Sequence, residues 1–223
     1  MQIAFLLYEG FTPLDAVGPY QVLSALPGTV AVFVAERAGP VCSDSGCSIV
    51  AERPLADTRS PDIVVVPGSL TSFTDAARNE SIVGWLREVS AGAQYMTSVC
   101  TGSLLLAAAG LLAGRTATTH WAARELLANL GVAVVPDRVA DTGRVITAAG
   151  VSAGIDMALQ LARRTHGDDI AQAIQLGIEY DPAPPFDSGS VEKASPSTAR
   201  AVLAGLSSRG AQWLPGRPAN HAL

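Results

Sequence analysis

Basic charge is in short supply. The 223-residue chain carries 15 lysines and arginines against 20 aspartates and glutamates, a formal net charge of −5, and no run of basic side chains. Such a surface cannot neutralise a row of phosphates, so nucleic acid is not expected as a partner. Long apolar runs are missing as well: no uninterrupted segment reaches the roughly 20 residues that cross a bilayer. The apolar start, MQIAFLLYEG, is short and has no positive region before it, so it reads as a buried first strand rather than an export signal. No membrane association is expected, and cytoplasm is the expected location. Cys42, Cys47 and Cys100 should then be reduced thiols. Cys42 and Cys47 are spaced C-x4-C without a nearby histidine or second cysteine pair, which is not a zinc pattern. G-x-G-x-x-G, a Walker-type lysine loop and H-E-x-x-H are all absent. Nucleotide cofactors and zinc catalysis lose their motif support, and no cofactor or metal is expected. There is no internal repeat and no low-complexity tract.

What is plentiful is apolar residues, 48% of the chain against 16% charged, enough for one large packed domain. Gln2 to Tyr8, Val30 to Glu36, Asp62 to Val66 and Tyr95 to Val99 are short apolar runs of the kind buried on both faces of a sheet. Helical patterns fall at Leu14 to Leu26, Ser81 to Gly92, Thr101 to Ala109, Trp121 to Leu130, Val151 to His166 and Asp168 to Glu179. This alternation implies an α/β fold with a mainly parallel sheet and helices on both faces. GPVCSDSGCSIVAERPLAD reads as a hairpin or loop excursion, and VVPDRVADTGRVITAAG as a small hairpin turned at Asp141-Thr142-Gly143. Residues 1–180 are expected to form the α/β domain. Residues 181–223 are expected to add a proline-rich arm, a short helix capped by Ser195 or Ser197, and a loosely held tail, all packed on the same domain.

The stretch YMTSVCTGSLLLAAAGLL puts Cys100 between a strand and a helix with almost no loop. Such an elbow holds its central residue in a sparsely populated backbone conformation and projects the side chain above the strand ends. The helix N-terminus beyond it favours a thiolate, so Cys100 is the candidate nucleophile. The competing reading is a small buried hydrophobe, the commoner fate of a free cysteine. Trp85, Trp121 and Trp213 are expected as packing residues, and His166 and His221 as solvated ones.

Four segments carry a resemblance: SVCTGSLLLAAAGLLAGRTATTHW, LDAVGP, VVPGS and AAGVSAGID resemble, in order, the ThiJ/PfpI superfamily. Within it, EYDPAPPF together with Asp15 is similar to the isocyanide hydratases. The resemblance implies a flavodoxin-like sandwich, a nucleophilic Cys100, a homodimer, and Asp15 as its acidic partner, with anion-stabilising amides around Gly68, Ser69 and Thr101. Ser69 departs from the second glycine common in the family and could crowd the loop. The protease-like branch has a histidine directly after the cysteine where this chain has Thr101, so that dyad is missing. His120 is the secondary candidate for a base, against a structural hydrogen-bonding role. Without the resemblance, Asp15 would read as a helix-capping carboxylate.

The activity so implied is cofactor-free hydration of an isocyanide to an N-substituted formamide through a cysteine thioimidate. The substrate would be a small molecule with an apolar group. Two other readings stand beside it. One is a glyoxalase or deglycase-like enzyme, whose relatives usually offer Glu rather than Asp after the first strand. The other is a ligand-sensing domain like that of AraC-type regulators, which share CTG, ATTHW and AGID but append a basic helix-turn-helix region that this acidic sequence, ending at Leu223, does not offer.

Overall fold

The computed structural model describes residues 1–209; Trp213, His221 and the rest of the expected tail lie outside the described residues. The first strand, β1 (Gln2–Leu6), sets the architecture: Ala4 and Leu6 enter one core layer, Ile3 and Phe5 the other, all with no exposed surface. A strand covered on both sides reads as a continuous apolar run, which is why the alternation expected of a half-exposed strand is absent here.

In chain order β1 is followed by α1 (Pro13–Leu23), β2 (Val30–Ala35), β3 (Gly39–Cys42), β4 (Ser48–Ala51), β5 (Arg53–Pro54), β6 (Ile63–Val66), α2 (Phe73–Ala76), α3 (Glu80–Ser90) and β7 (Tyr95–Val99). Then come α4 (Gly102–Ala108), β8 (Thr116–Ala117), α5 (Arg124–Asn129), β9 (Ala133–Val134), β10 (Val139–Asp141), β11 (Val145–Ala148), α6 (Ala153–His166), α7 (Asp168–Gly177) and α8 (Pro196–Arg209). The main sheet runs β10-β11-β7-β6-β1-β2-β5, parallel throughout except for β10 against β11. Helices α1, α6 and α7 pack on one face and α3, α4 and α5 on the other, giving the expected sandwich. The chain leaves β1 toward β2 on one side and returns as β6 on the other. That reversal opens a crevice beyond the carboxyl ends of the strands, where open α/β sheets bind ligands.

Both irregular segments prove to be hairpins. β3 and β4 pair apart from the main sheet, Cys42 opposite Ser48. Cys47 lies just outside β4, its N–H donating to the Ser43 hydroxyl at 3.1 Å, and both cysteines are free and exposed. The Asp141-Thr142-Gly143 turn forms as expected, with the Gly143 N–H donating to Asp141 Oδ1 at 2.9 Å, and β11 then extends the main sheet beside β7. The helical stretch expected from Trp121 starts as a 3-10 turn, because the His120 ring accepts the Ala122 N–H and caps that turn. Ser195 starts α8, its hydroxyl accepting the Thr198 N–H at 3.1 Å. Trp85 is a packing residue whose indole N–H donates to the Thr58 carbonyl at 2.7 Å. Among the described residues, no helix is long and apolar enough to cross a membrane.

Candidate active site

Cys100 sits where β7 ends, at φ 57°, one of two non-glycine residues with positive φ among those described. A left-handed conformation costs a side-chain-bearing residue on the order of 1–3 kcal/mol unless its surroundings enforce it. They do here: the Cys100 N–H donates to the carbonyls of Ala148 and Ala149 at 3.1 and 3.0 Å. Its own carbonyl accepts the Ser103 and Thr119 hydroxyls at 3.2 and 3.0 Å. Gly102 completes the turn, since a Cβ there would stand 2.2 Å from the Val66 carbonyl oxygen. The elbow expected from sequence is therefore built, with Cys100 4% exposed.

The electrostatics differ from expectation. Burial pushes the Cys100 thiol well above its ordinary value, the Asp15 carboxyl pushes it further, and the Thr101 N–H and hydroxyl offset only part of this. The N-terminal end of α4 acts on the sulfur through the Thr101 amide, and burial outweighs it. Burial thus holds the resting sulfur toward the thiol form rather than the thiolate that the helix N-terminus favours.

Asp15 lies in the first turn of α1 with no exposed surface. Its Oδ2 accepts the Gly68 N–H at 2.9 Å, while Oδ1 has no partner of normal hydrogen-bond geometry. Burial raises this carboxyl well above its ordinary value, and the nearby Asp44 adds to that. Asp15 and Cys100 each shift the other's titration, so the two form one coupled, desolvated acid pair.

Gly68, Ser69 and Thr101 converge on this pair, but the first two amides are already engaged. The Gly68 N–H holds Asp15, and the Ser69 N–H donates to Thr101 Oγ1 at 2.9 Å while that hydroxyl donates back to the Ser69 carbonyl at 2.9 Å. Of the three expected anion-stabilising amides, only that of Thr101 faces the sulfur. Gly68 must be glycine, because a Cβ would lie 2.5 Å from both the amide nitrogen and the hydroxyl of Thr101. Ser69 strains nothing: its φ is negative, and its buried hydroxyl is left without a partner of normal geometry.

A cavity of about 220 Å³ is lined by Cys100, by the polar Ser69, Thr101 and His120, and by leucines and Phe73. Burial and Arg124 lower the His120 pKa to about 4, so the ring is neutral at neutral pH and a weak base. His166 is partly buried and contacts the Pro27 carbonyl, away from the cavity. The EYDPAPPF segment also lies elsewhere, with Pro184 to Phe186 beside Arg138. Among the described residues, no cluster of histidine, cysteine or carboxylate side chains is arranged to hold a metal.

Two residues near the pair had not been singled out. Tyr8, buried at the carboxyl end of the β1 run, donates to the Pro67 carbonyl at 3.0 Å and feels Asp15 and Cys100. Its place at the end of the first apolar run, in the chain that leads to Asp15, was a usable signal. Asp44, on the β3–β4 hairpin, accepts the Thr12 hydroxyl at 2.5 Å and the Leu70 N–H, tying the loops before Asp15 and after Ser69. Nothing local in the sequence marks it, because its role depends on the hairpin docking against Phe11.

Residues 1–164 match the DJ-1/PfpI family model. The chain is 45% identical to the isonitrile hydratase of Pseudomonas putida over 87% of its own length and 85% of the relative's. It is 30% identical to the HTH-type transcriptional regulator CdhR of Pseudomonas aeruginosa, covering 79% of this chain and 53% of the regulator. A solved ThiJ/PfpI family protein from Pseudomonas syringae superposes with a TM-score of 0.90 at 37% identity, covering 94% of this chain and 87% of that one. With its strained elbow cysteine at the strand ends and a family match running through most of its length, the chain belongs to the DJ-1/PfpI family.

Proposed function

We propose that the protein is an isocyanide hydratase, converting R–NC and water to the N-substituted formamide through a covalent adduct on Cys100. The observation that carries this reading is the buried carboxyl paired with the elbow thiol, in a chain 45% identical to an isonitrile hydratase. Hydration needs a nucleophile for the terminal carbon and a proton delivered to the same atom. Sγ attacks that carbon, and the thiol proton passes to Asp15 Oδ1 and on to the carbon, leaving the thioimidate R–N=CH–S. Asp15, ionised again, takes a proton from water as its oxygen attacks, and passes that proton to nitrogen. The adduct R–NH–CH(OH)–S collapses as the C–S bond breaks, and its hydroxyl proton returns through Asp15 to sulfur. One isocyanide and one water enter, one formamide leaves, and the enzyme is restored without a cofactor. The Thr101 N–H would steady charge on sulfur, and the Ser69 hydroxyl, which lines the cavity, suits the attacking water. Gly68 and Ser69 amides hold Asp15 and Thr101 in place. His120, neutral, serves as a wall and hydrogen-bonding group rather than the base.

The reading takes the cytoplasm as its setting and a homodimer as the working form. Light scattering at micromolar concentration is expected to return twice the chain mass of 22.9 kDa, and the monomer mass would contradict it. The test of the activity is a side-by-side incubation with cyclohexyl isocyanide and methylglyoxal. Loss of the isocyanide alone supports the hydratase; loss of methylglyoxal alone would transfer the assignment to carbonyl chemistry, and binding without turnover to a sensor.

A further inference from the structure

The cavity over Cys100 is chemically divided. Its lining combines the thiol, Thr101, Ser69 and His120 with Leu126 of α5 and Leu203 and Leu206 of α8. The two α8 leucines are three residues apart and therefore share one helix face. Leu203 is 41% exposed, so it has the cavity on one side and solvent on the other. The helix is not placed by a deep core of its own. Arg124, in α5, pairs with Glu192 at 2.8 Å just ahead of α8, and Ser195 caps its first turn.

We infer that α8 is a size-selecting wall: Leu203 and Leu206 close the cavity that receives the substrate's R group and restrict it to compact apolar groups such as a branched alkyl or a single ring. This rests on the hydratase reading for the reaction, but not for the wall itself. A cavity of about 220 Å³ is below the roughly 300–1,000 Å³ of drug-sized sites. Its charge-free leucine wall offers a long polar substrate nothing to pair with. A longer chain that runs along the α8 side of the cavity meets these leucines. The leucines offer only apolar surface and no acid or base, so the wall should act on binding rather than on chemistry, raising KM for bulky substrates.

The test compares wild type with the Leu203→Ala/Leu206→Ala variant on cyclohexyl isocyanide and on n-decyl isocyanide. The wild type is expected to favour the cyclohexyl compound in kcat/KM. The variant should narrow that preference by roughly tenfold or more, through the KM of the decyl substrate. An unchanged preference, or an equal loss on both substrates, would overturn the proposal. A second measurement does not depend on turnover: N-cyclohexylformamide and N-decylformamide are titrated while the leucine methyl resonances are followed. Stronger binding of the compact amide with shifts at Leu203 and Leu206, and a gain for the decyl amide in the variant, support the wall even if no isocyanide is hydrated. Equal binding of the two amides to wild type would contradict it.

Discussion

Replacing Cys100 by alanine is expected to lower isocyanide turnover by on the order of 10³-fold or more, because no other group can form the covalent bond to the terminal carbon. Burial makes the expectation sharp. Cys100 is 4% exposed and lines the cavity, while the other two thiols sit on a separate hairpin, so neither can substitute. The fold should survive, since alanine adds no atom to a packed turn and the backbone bonds to Ala148 and Ala149 use the amide, not the side chain. A circular dichroism melt close to wild type alongside lost turnover is the expected pair of results; retained turnover would remove Cys100 from the mechanism. Serine is expected to fail nearly as badly, because an alcohol beside a buried carboxyl is a far poorer nucleophile than a thiol.

Asp15→Asn should cut turnover by roughly 10²- to 10⁴-fold, the range typical of lost acid–base catalysis. The amide oxygen can still accept the Gly68 N–H, so the loop is kept while proton cycling is lost. Stability should move in the opposite direction from activity. The folded-state pKa of Asp15 is raised above its ordinary 3.8, chiefly by burial. Such a group contributes its full stability below that ordinary value and loses it as pH rises through the raised one. Asparagine has no charge to bury, so the variant is expected to melt higher than wild type at neutral pH. The gap should open as pH climbs from the ordinary carboxylate range. Each kcal/mol corresponds to roughly 2–4 °C in a protein of this size. A variant that hydrates isocyanides near the wild-type rate would sink the acid–base assignment, and a variant that melts lower across that range would contradict a desolvated carboxyl at this position.

The elements were legible because their signals are local. β1, β6 and β7 announce themselves as apolar runs, and the junction of Val99, Cys100 and Thr101 leaves no room for anything but a sharp turn. The convergence of Cys100, Asp15, Gly68, Ser69 and Thr101 was reached through the family resemblance, and the structure brings all five together. What sequence reasoning missed depends on desolvation and long-range docking. The helix N-terminus beside Cys100 was visible, but the burial that outweighs it was not. Likewise the amides of Gly68 and Ser69 were nameable, yet their occupation by Asp15 and Thr101 depends on side chains distant in the chain. Asp44 reaches the site from a hairpin whose sequence reads only as turn-rich, and the α8 leucines arrive from beyond the matched residues 1–164.

The most direct measurement is ¹³C NMR of wild-type protein incubated in D₂O with cyclohexyl isocyanide labelled at its terminal carbon. The mechanism routes the carbon's new hydrogen from the exchangeable thiol and carboxyl, and then adds water to the same carbon. The expected result is a formamide whose labelled formyl carbon carries deuterium, formed by wild type and not by Cys100→Ala. A labelled isocyanide that persists unchanged with wild type, or that is converted equally well by Cys100→Ala, would contradict the account.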